Sequence, residues 1–179
     1  MKVLGISGSL RRDSYNTLLL RNAPIALELW EELKSIPPYD EDDDVEPAPP
    51  AVARMRAAVA GADAILFATP EYNASVPGQL KNAVDWLSRP YATSALRNKP
   101  VAVVGASTGA FGAVWAQAEL RKVLSTAGAR VVEGDVAVGH AHERFDDQGT
   151  LTDENLLDQL AEVVQALVAE TAPVAAVAA

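Results

Sequence analysis

Ala64-Ile65-Leu66-Phe67-Ala68-Thr69-Pro70-Glu71-Tyr72-Asn73-Ala74-Ser75-Val76-Pro77-Gly78 divides into three parts. Its first five residues are apolar without interruption, as expected of a strand covered on both faces in a parallel sheet. A stiff polar loop follows. Pro77-Gly78 then opens a helix in which Leu80, Val84 and Leu87 fall at i, i+4 and i+7. The segment is one βα unit, and the chain repeats it.

Upstream, Lys2 to Ser7 reads as a short buried strand and Ser14 to about Pro24 as a helix. Ile25 to Leu33 is a weaker second strand. Prolines and the acidic run Asp40-Glu41-Asp42-Asp43-Asp44 make a solvated loop before a helix over about Ala51 to Gly61. Downstream, Pro100 to Gly105 is a buried strand. The next helix carries Leu120, Val123, Leu124 and Ala127 and stops at Gly128, and Arg130 to Val138 is the last strand. Thr152 is expected to cap a final helix whose stripe is Leu156, Leu160, Val163, Val164 and Leu167. Strands alternating with helices across short loops indicate a parallel sheet with helices on both faces. Five strands at this length fit a flavodoxin-like three-layer α/β/α sandwich in the order 2-1-3-4-5. Residues 1–170 are expected to form one domain, and 171–179 an Ala-rich frayed tail.

The chain has 179 residues, 24 Asp and Glu against 15 Lys and Arg, and a formal net charge of −9, which argues against nucleic acid or anionic lipid as a partner. It has no cysteine, so thiolate metal sites, a catalytic thiol and dithiol redox chemistry are excluded. Electrons, if handled at all, must reside on a cofactor. The opening Lys2-Val3-Leu4-Gly5-Ile6 is too short for a signal peptide, and the cytoplasm is the expected location.

In an open parallel sheet, ligands bind beyond the carboxyl ends of the strands where strand order reverses. The loops expected there are distinctive. After strand one, Ser7-Gly8-Ser9-Leu10-Arg11-Arg12-Asp13-Ser14-Tyr15-Asn16 combines a glycine, thought to permit a tight turn, with small polar side chains and a forked cation at Arg11. It leads into a helix N-terminus, and the combination suits a phosphate monoester. After strand three, Thr69 to Gly78 can present backbone polar groups and an aromatic side chain to a planar heterocycle. After strand four, Gly105-Ala106-Ser107-Thr108-Gly109-Ala110-Phe111-Gly112 permits close backbone approach and supplies hydroxyl donors. Neither a nucleotide-triphosphate loop nor a dinucleotide fingerprint is present. Gly5-Ile6-Ser7-Gly8-Ser9 misses the hydrolase elbow, and the two histidines, His140 and His142, read as a polar loop.

The same segments carry a family resemblance. Gly8-Ser9-Leu10-Arg11 with Ser14 and Asn16, Pro70-Glu71-Tyr72-Asn73, Leu80 to Trp86, and Ser107 to Arg121 resemble the NAD(P)H-dependent FMN reductases, a family that includes quinone, azo-dye and chromate reductases. The matches run in order from residue 3 to about 132. The resemblance implies that Ser9, Arg11, Ser14 and Asn16 hold the FMN phosphate. Pro70, Glu71, Tyr72 and Asn73 would contact the ribityl chain and isoalloxazine, and Ser107 and Gly109 would close the other side. Where members often have paired glycines, Ala110-Phe111 here precedes Gly112.

The resemblance further implies NADPH or NADH as co-substrate and a small acceptor such as a flavin, quinone, azo compound or metal oxyanion. It implies ping-pong kinetics on the cofactor with no catalytic side chain. A homodimer or homotetramer would form through the helices after strands three and four, with Lys81 and Asp85 either at that interface or paired along one helix. Two other uses of the fold stay open: an FMN electron carrier that does not oxidise nicotinamide, and a non-flavin phosphate-binding module.

Overall fold

The computed structural model describes residues 1–172. The expected tail from 173 onward lies outside the described residues. The elements are β1 (Val3–Ser7), α1 (Tyr15–Arg21), β2 (Leu27–Trp30), α2 (Pro50–Ala60), β3 (Ala64–Thr69), α3 (Gly78–Leu87), β4 (Pro100–Ala106), α4 (Val114–Thr126), β5 (Arg130–Val131), β6 (Ala137–Val138) and α5 (Glu154–Ala169), with single-turn helices in the loops. All pairings are parallel, in the order β2-β1-β3-β4-β5, and β6 also pairs with β4. This is the flavodoxin-like arrangement anticipated above.

Strand alternation sorts the core into two layers. Leu4, Ile6, Ile65, Phe67, Val101 and Val103 pack with Val52, Met55 and Val59 of α2, Leu80, Val84 and Leu87 of α3, and Leu120 and Leu124 of α4. Val3, Leu66, Ala102 and Val104 pack on the opposite side with Leu19 and Leu20 of α1 and Leu160, Val164 and Leu167 of α5. Every residue of β3 and β4 is buried, which explains their unbroken apolar character.

Several boundaries differ from the expectation. The first helix stops at Arg21, short of Pro24, because Asn22 folds its side chain back to Leu18 O at 2.9 Å. The second strand shrinks to four residues at the sheet edge. Asp153, not Thr152, caps α5: its carboxylate accepts from Leu156 N at 3.2 Å, and Glu154 sits in the first turn beside the positive helix end. The acidic run is only partly a solvated loop, since Asp44 forms an ion pair with Arg56 at 2.9 Å in which both side chains are largely shielded.

The expected last strand is two short ones. β5 pairs with Pro100 and Val101, while β6 pairs with Gly105 and Ala106. Between them Gly134 adopts φ +136°, a conformation that disfavours side chains, and a Cβ there would lie 2.6 Å from Val163 Cγ2. Side chains of α4 fill the break. Gln117 Nε2 donates to Gly112 O at 2.9 Å and Val136 O at 3.1 Å, and Arg121 Nη2 donates to Gly134 O at 2.8 Å and Val103 O at 3.3 Å. Arg121 thus satisfies the Val103 and Gly134 carbonyls that an unbroken ladder would have paired.

Gln117 is 1% exposed. Gln117→Leu keeps its bulk but strands the Gly112 carbonyl, and it should destabilise the fold by about 1–3 kcal/mol, read as a lower urea midpoint with an unchanged m-value.

Candidate functional site

Register brings the ends of three strands level: Ser7 lies beside Ala68, and Ala68 beside Val104. The loops after β1, β3 and β4 therefore meet on one rim. Gly8 donates its N–H to Ala68 O at 2.8 Å, extending the ladder one residue. A Cβ on Gly8 would lie 2.6 Å from Leu80 Cδ2. The glycine therefore lets α3 pack closely against the start of the turn, which uses no positive φ there. Asn16, 2% exposed, clamps the rim from α1: Nδ2 donates to Ala106 O and Oδ1 accepts from Ala106 N, both at 2.9 Å.

The hydroxyls around the rim share a pattern. Ser9 Oγ accepts from Arg11 N at 3.3 Å, Ser14 Oγ from Thr17 N at 3.4 Å, and Ser107 Oγ from Gly109 N at 3.1 Å. Each oxygen already receives a backbone donor, so its own proton is available for an acceptor brought from outside. These residues, with Arg11, Tyr15, Asn16, Pro70, Glu71, Tyr72, Ala106 and Thr108, line a cavity of about 120 Å³.

Glu71 supplies the sole carboxylate of this lining, and it is engaged elsewhere. Ala113, at the start of α4, has a left-handed backbone and no side chain able to cap. Glu71 Oε2 instead accepts from Trp115 N at 3.0 Å and Ala116 N at 3.1 Å, capping α4 from a different loop. α4 reciprocates: Glu119 Oε2 accepts from Ser75 Oγ at 2.6 Å and Val76 N at 3.1 Å. The Ser75 hydroxyl, then the Val76 N–H, hold the Glu119 carboxyl below the usual carboxylate range. Between these staples the chain turns tightly, with Tyr72 and Ser75 exchanging backbone hydrogen bonds at 3.1 Å each. Asn73 and Ala74 both have positive φ, and Tyr72 is half exposed.

With one Glu71 oxygen engaged by α4, the cavity presents hydroxyl protons and the Arg11 guanidinium, a set suited to an anion. Through Arg11 and Tyr72 it adjoins a larger space of about 370 Å³ formed with Gly8, Leu10, Pro77, Gly78 and Gln79. A small donor-rich cavity beside a broader, more apolar one matches a phosphate-bearing ligand with a planar ring system.

Comparison with known proteins agrees. Residues 1–143 match the model of a family described as NADPH-dependent FMN reductase. The chain belongs to that family. It is accordingly an oxidoreductase that works with FMN and a reduced nicotinamide. It is 43% identical over 174 residues to an NAD(P)H-dependent FMN reductase of Pseudomonas aeruginosa, covering 93% of each chain. A quinone reductase of Pseudomonas putida is 43% identical over 155 residues, with 83% of each chain covered. The solved structure of FerB, a flavoenzyme NAD(P)H:(acceptor) oxidoreductase from Paracoccus denitrificans, superposes with a TM-score of 0.80 at 35% identity, over 95% of this chain and 96% of that one.

Of the residues singled out in the sequence of this FMN reductase family member, Ser9, Arg11, Ser14, Asn16, Pro70, Glu71, Tyr72 and Ser107 line the donor cavity. Asn73 and Gly109 do not: Asn73 sits exposed at the tip of its turn, and Gly109 is exposed with its N–H turned to Ser107. The Asn16 side chain is consumed by Ala106, and that of Glu71 by α4. Thr108, one of the hydroxyl donors read in the loop after β4, joins the cavity, and so does Tyr15, for which the only signal was its place between Ser14 and Asn16. Lys81 pairs with Asp85 along α3 at 2.7 Å.

Because the folded-state pKa of Glu119 is depressed, its contribution is present above the ordinary value of 4.5 and is lost as pH falls through the folded value. Glu119→Gln should therefore lower the urea midpoint at pH 7, and its difference from wild type should shrink towards zero as pH drops below 4.5. A difference that is constant with pH would show that the Glu119 charge does not hold the loop.

Proposed function

We propose that this chain takes reducing equivalents from NADPH or NADH and delivers them to a small acceptor of the flavin, quinone, azo or metal-oxyanion class. The reading rests above all on one observation: the donor-rich cavity on the rim adjoins, across Arg11 and Tyr72, the broader space walled by Leu10 and Pro77. Bound FMN would supply the redox chemistry, accepting hydride and passing electrons on. The chain supplies binding and orientation. Arg11 would hold the phosphate, together with the Ser9 and Ser14 hydroxyl protons. Ser107 would close the side opposite Pro70, Glu71 and Tyr72.

The stapled turn at Tyr72 to Ser75 holds one wall of the ring site at a defined height. Asn16 acts by holding the β4 end in place, and Glu71 by fixing α4. Because the broader space is open on one side, both substrates reach the cofactor from the same direction in turn, which gives ping-pong kinetics. We also infer a homodimer or homotetramer. Phe111, Val114 and Trp115, just before and on the first turn of α4, are all exposed, with Phe111 and Trp115 in edge contact, and apolar side chains gathered beside the loop after β4 favour a covering copy. Among the described residues no helix is long and apolar enough to cross a membrane, and the nicotinamide pool makes the cytoplasm the proposed setting.

Anaerobic addition of NADPH to the protein with FMN should bleach the flavin absorption far faster than without protein. A spectral shift without bleaching, by NADPH or NADH, would instead support an electron carrier. Initial-rate lines at several acceptor concentrations should be parallel. Arg11→Ala should weaken FMN binding by about 1.5–3 kcal/mol, and an unchanged affinity would remove Arg11 from the phosphate site.

A further inference from the structure

Arg11, Arg12, Arg21 and Lys34 line a third cavity, of about 290 Å³, between the β1–α1 loop and the segment after β2. Seven of the other cations, Lys2, Arg54, Arg56, Lys81, Arg121, Arg130 and Arg144, form ion pairs with carboxylates among the described residues. The four cavity cations form none, although the protein carries nine more negative than positive charges. Glu31 is the single carboxylate on the wall. Arginine cannot shed its charge, so four unpaired cations around one cavity leave mutual repulsion that an external anion relieves.

The rest of the wall combines the Ser7, Ser9 and Thr17 hydroxyls with an apolar side that includes Leu29 and Trp30. The Trp30 indole N–H is buried with no hydrogen-bond partner among the described residues. A ring edge and a buried donor beside several guanidinium groups suit a nucleoside phosphate better than a bare ion. The cavity also shares Ser9 and Arg11 with the donor cavity, and Leu10 and Arg11 with the broader space. Arg11 lines all three, so the cavities adjoin one another around its side chain.

We propose that this cavity binds the 2′-phosphorylated adenosine end of NADPH while the nicotinamide end lies in the broader space. This assignment rests on the reductase reading for its choice of nucleotide, and it makes NADPH the preferred co-substrate.

The test uses the FMN-loaded protein and its Arg21→Ala/Lys34→Ala variant, two positions away from the donor cavity. Calorimetric titration should show that wild type binds 2′,5′-ADP more tightly than 5′-AMP or inorganic phosphate by about tenfold or more. The variant should lose that preference. Its kcat/KM for NADPH should fall by about tenfold, with NADH and FMN affinity changed less than about twofold. Lys34→Glu alone should shift both readouts in the same direction, and an unchanged circular dichroism spectrum checks the fold of each variant. Equal binding of 2′,5′-ADP and 5′-AMP, or a preference the variant retains, overturns the proposal. Phosphate binding as tight as that of 2′,5′-ADP overturns the nucleotide assignment in favour of a simple anion site. Loss of 2′,5′-ADP binding with an unchanged NADPH-to-NADH ratio overturns the co-substrate assignment in favour of a separate effector. If wild type fails to reduce FMN, the reductase reading falls, while the 2′,5′-ADP titration still decides whether the cavity recognises a 2′-phosphate.

Discussion

The in-register parallel pairing of β1, β3 and β4 is the constraint on which the site depends. Ile6 lies beside Phe67, and Phe67 beside Val103. Side chains alternate between two buried layers, so a slip of one residue would exchange the layers along a whole strand. Both faces are closed by helices, leaving no solvent face to absorb such an error. With register held this firmly, the three strands end level, and their loops are delivered to a single rim.

The rim is then stiffened by side chains reaching across long stretches of sequence. Asn16 behaves as one more strand residue against Ala106, offering it an acceptor and a donor. Glu71 caps α4, and Glu119 returns two bonds to the loop that carries Glu71. The exchange ties the loop after β3 to α4 at two points and engages the one carboxylate of the cavity wall with backbone N–H groups. A strongly acidic protein can thereby maintain a groove rich in donors and cations. Charge on the whole molecule and charge at the site are separate quantities, because a fold can direct carboxylates towards backbone N–H groups and leave arginines facing the ligand.

Much of this was legible beforehand. Unbroken apolar runs at 64–68 and 100–105 announced strands buried on both faces, and the polar, glycine-bearing loops after them marked the ligand rim. The family resemblance lay in those same loops, because backbone approach and small donors are what a phosphate and a flat ring demand. Less legible were roles that depend on a distant partner. Nothing local distinguishes a Glu71 that meets a ligand from one that caps a helix more than forty residues away. Gly8 looked like a turn residue and serves as a flat contact for Leu80. The run 130–138 has strand-like composition throughout, but its middle gives way where Gly134 turns and Gln117 and Arg121 reach in.

Local pattern was enough for the layer architecture, the strand order and the location of the rim, since periodicity and apolar run length follow from which faces each element must bury. It also exposed the absence of cysteine and with it the need for a borrowed redox group. Packing alone assigned the individual duties: which carboxylate caps a helix, which amide is consumed, where the edge strand breaks, and which four cations without an ion-pair partner share a cavity. These duties arise from hydrogen bonds and charge contacts between residues far apart in the chain, and such contacts exist only once the sheet has brought the loops together.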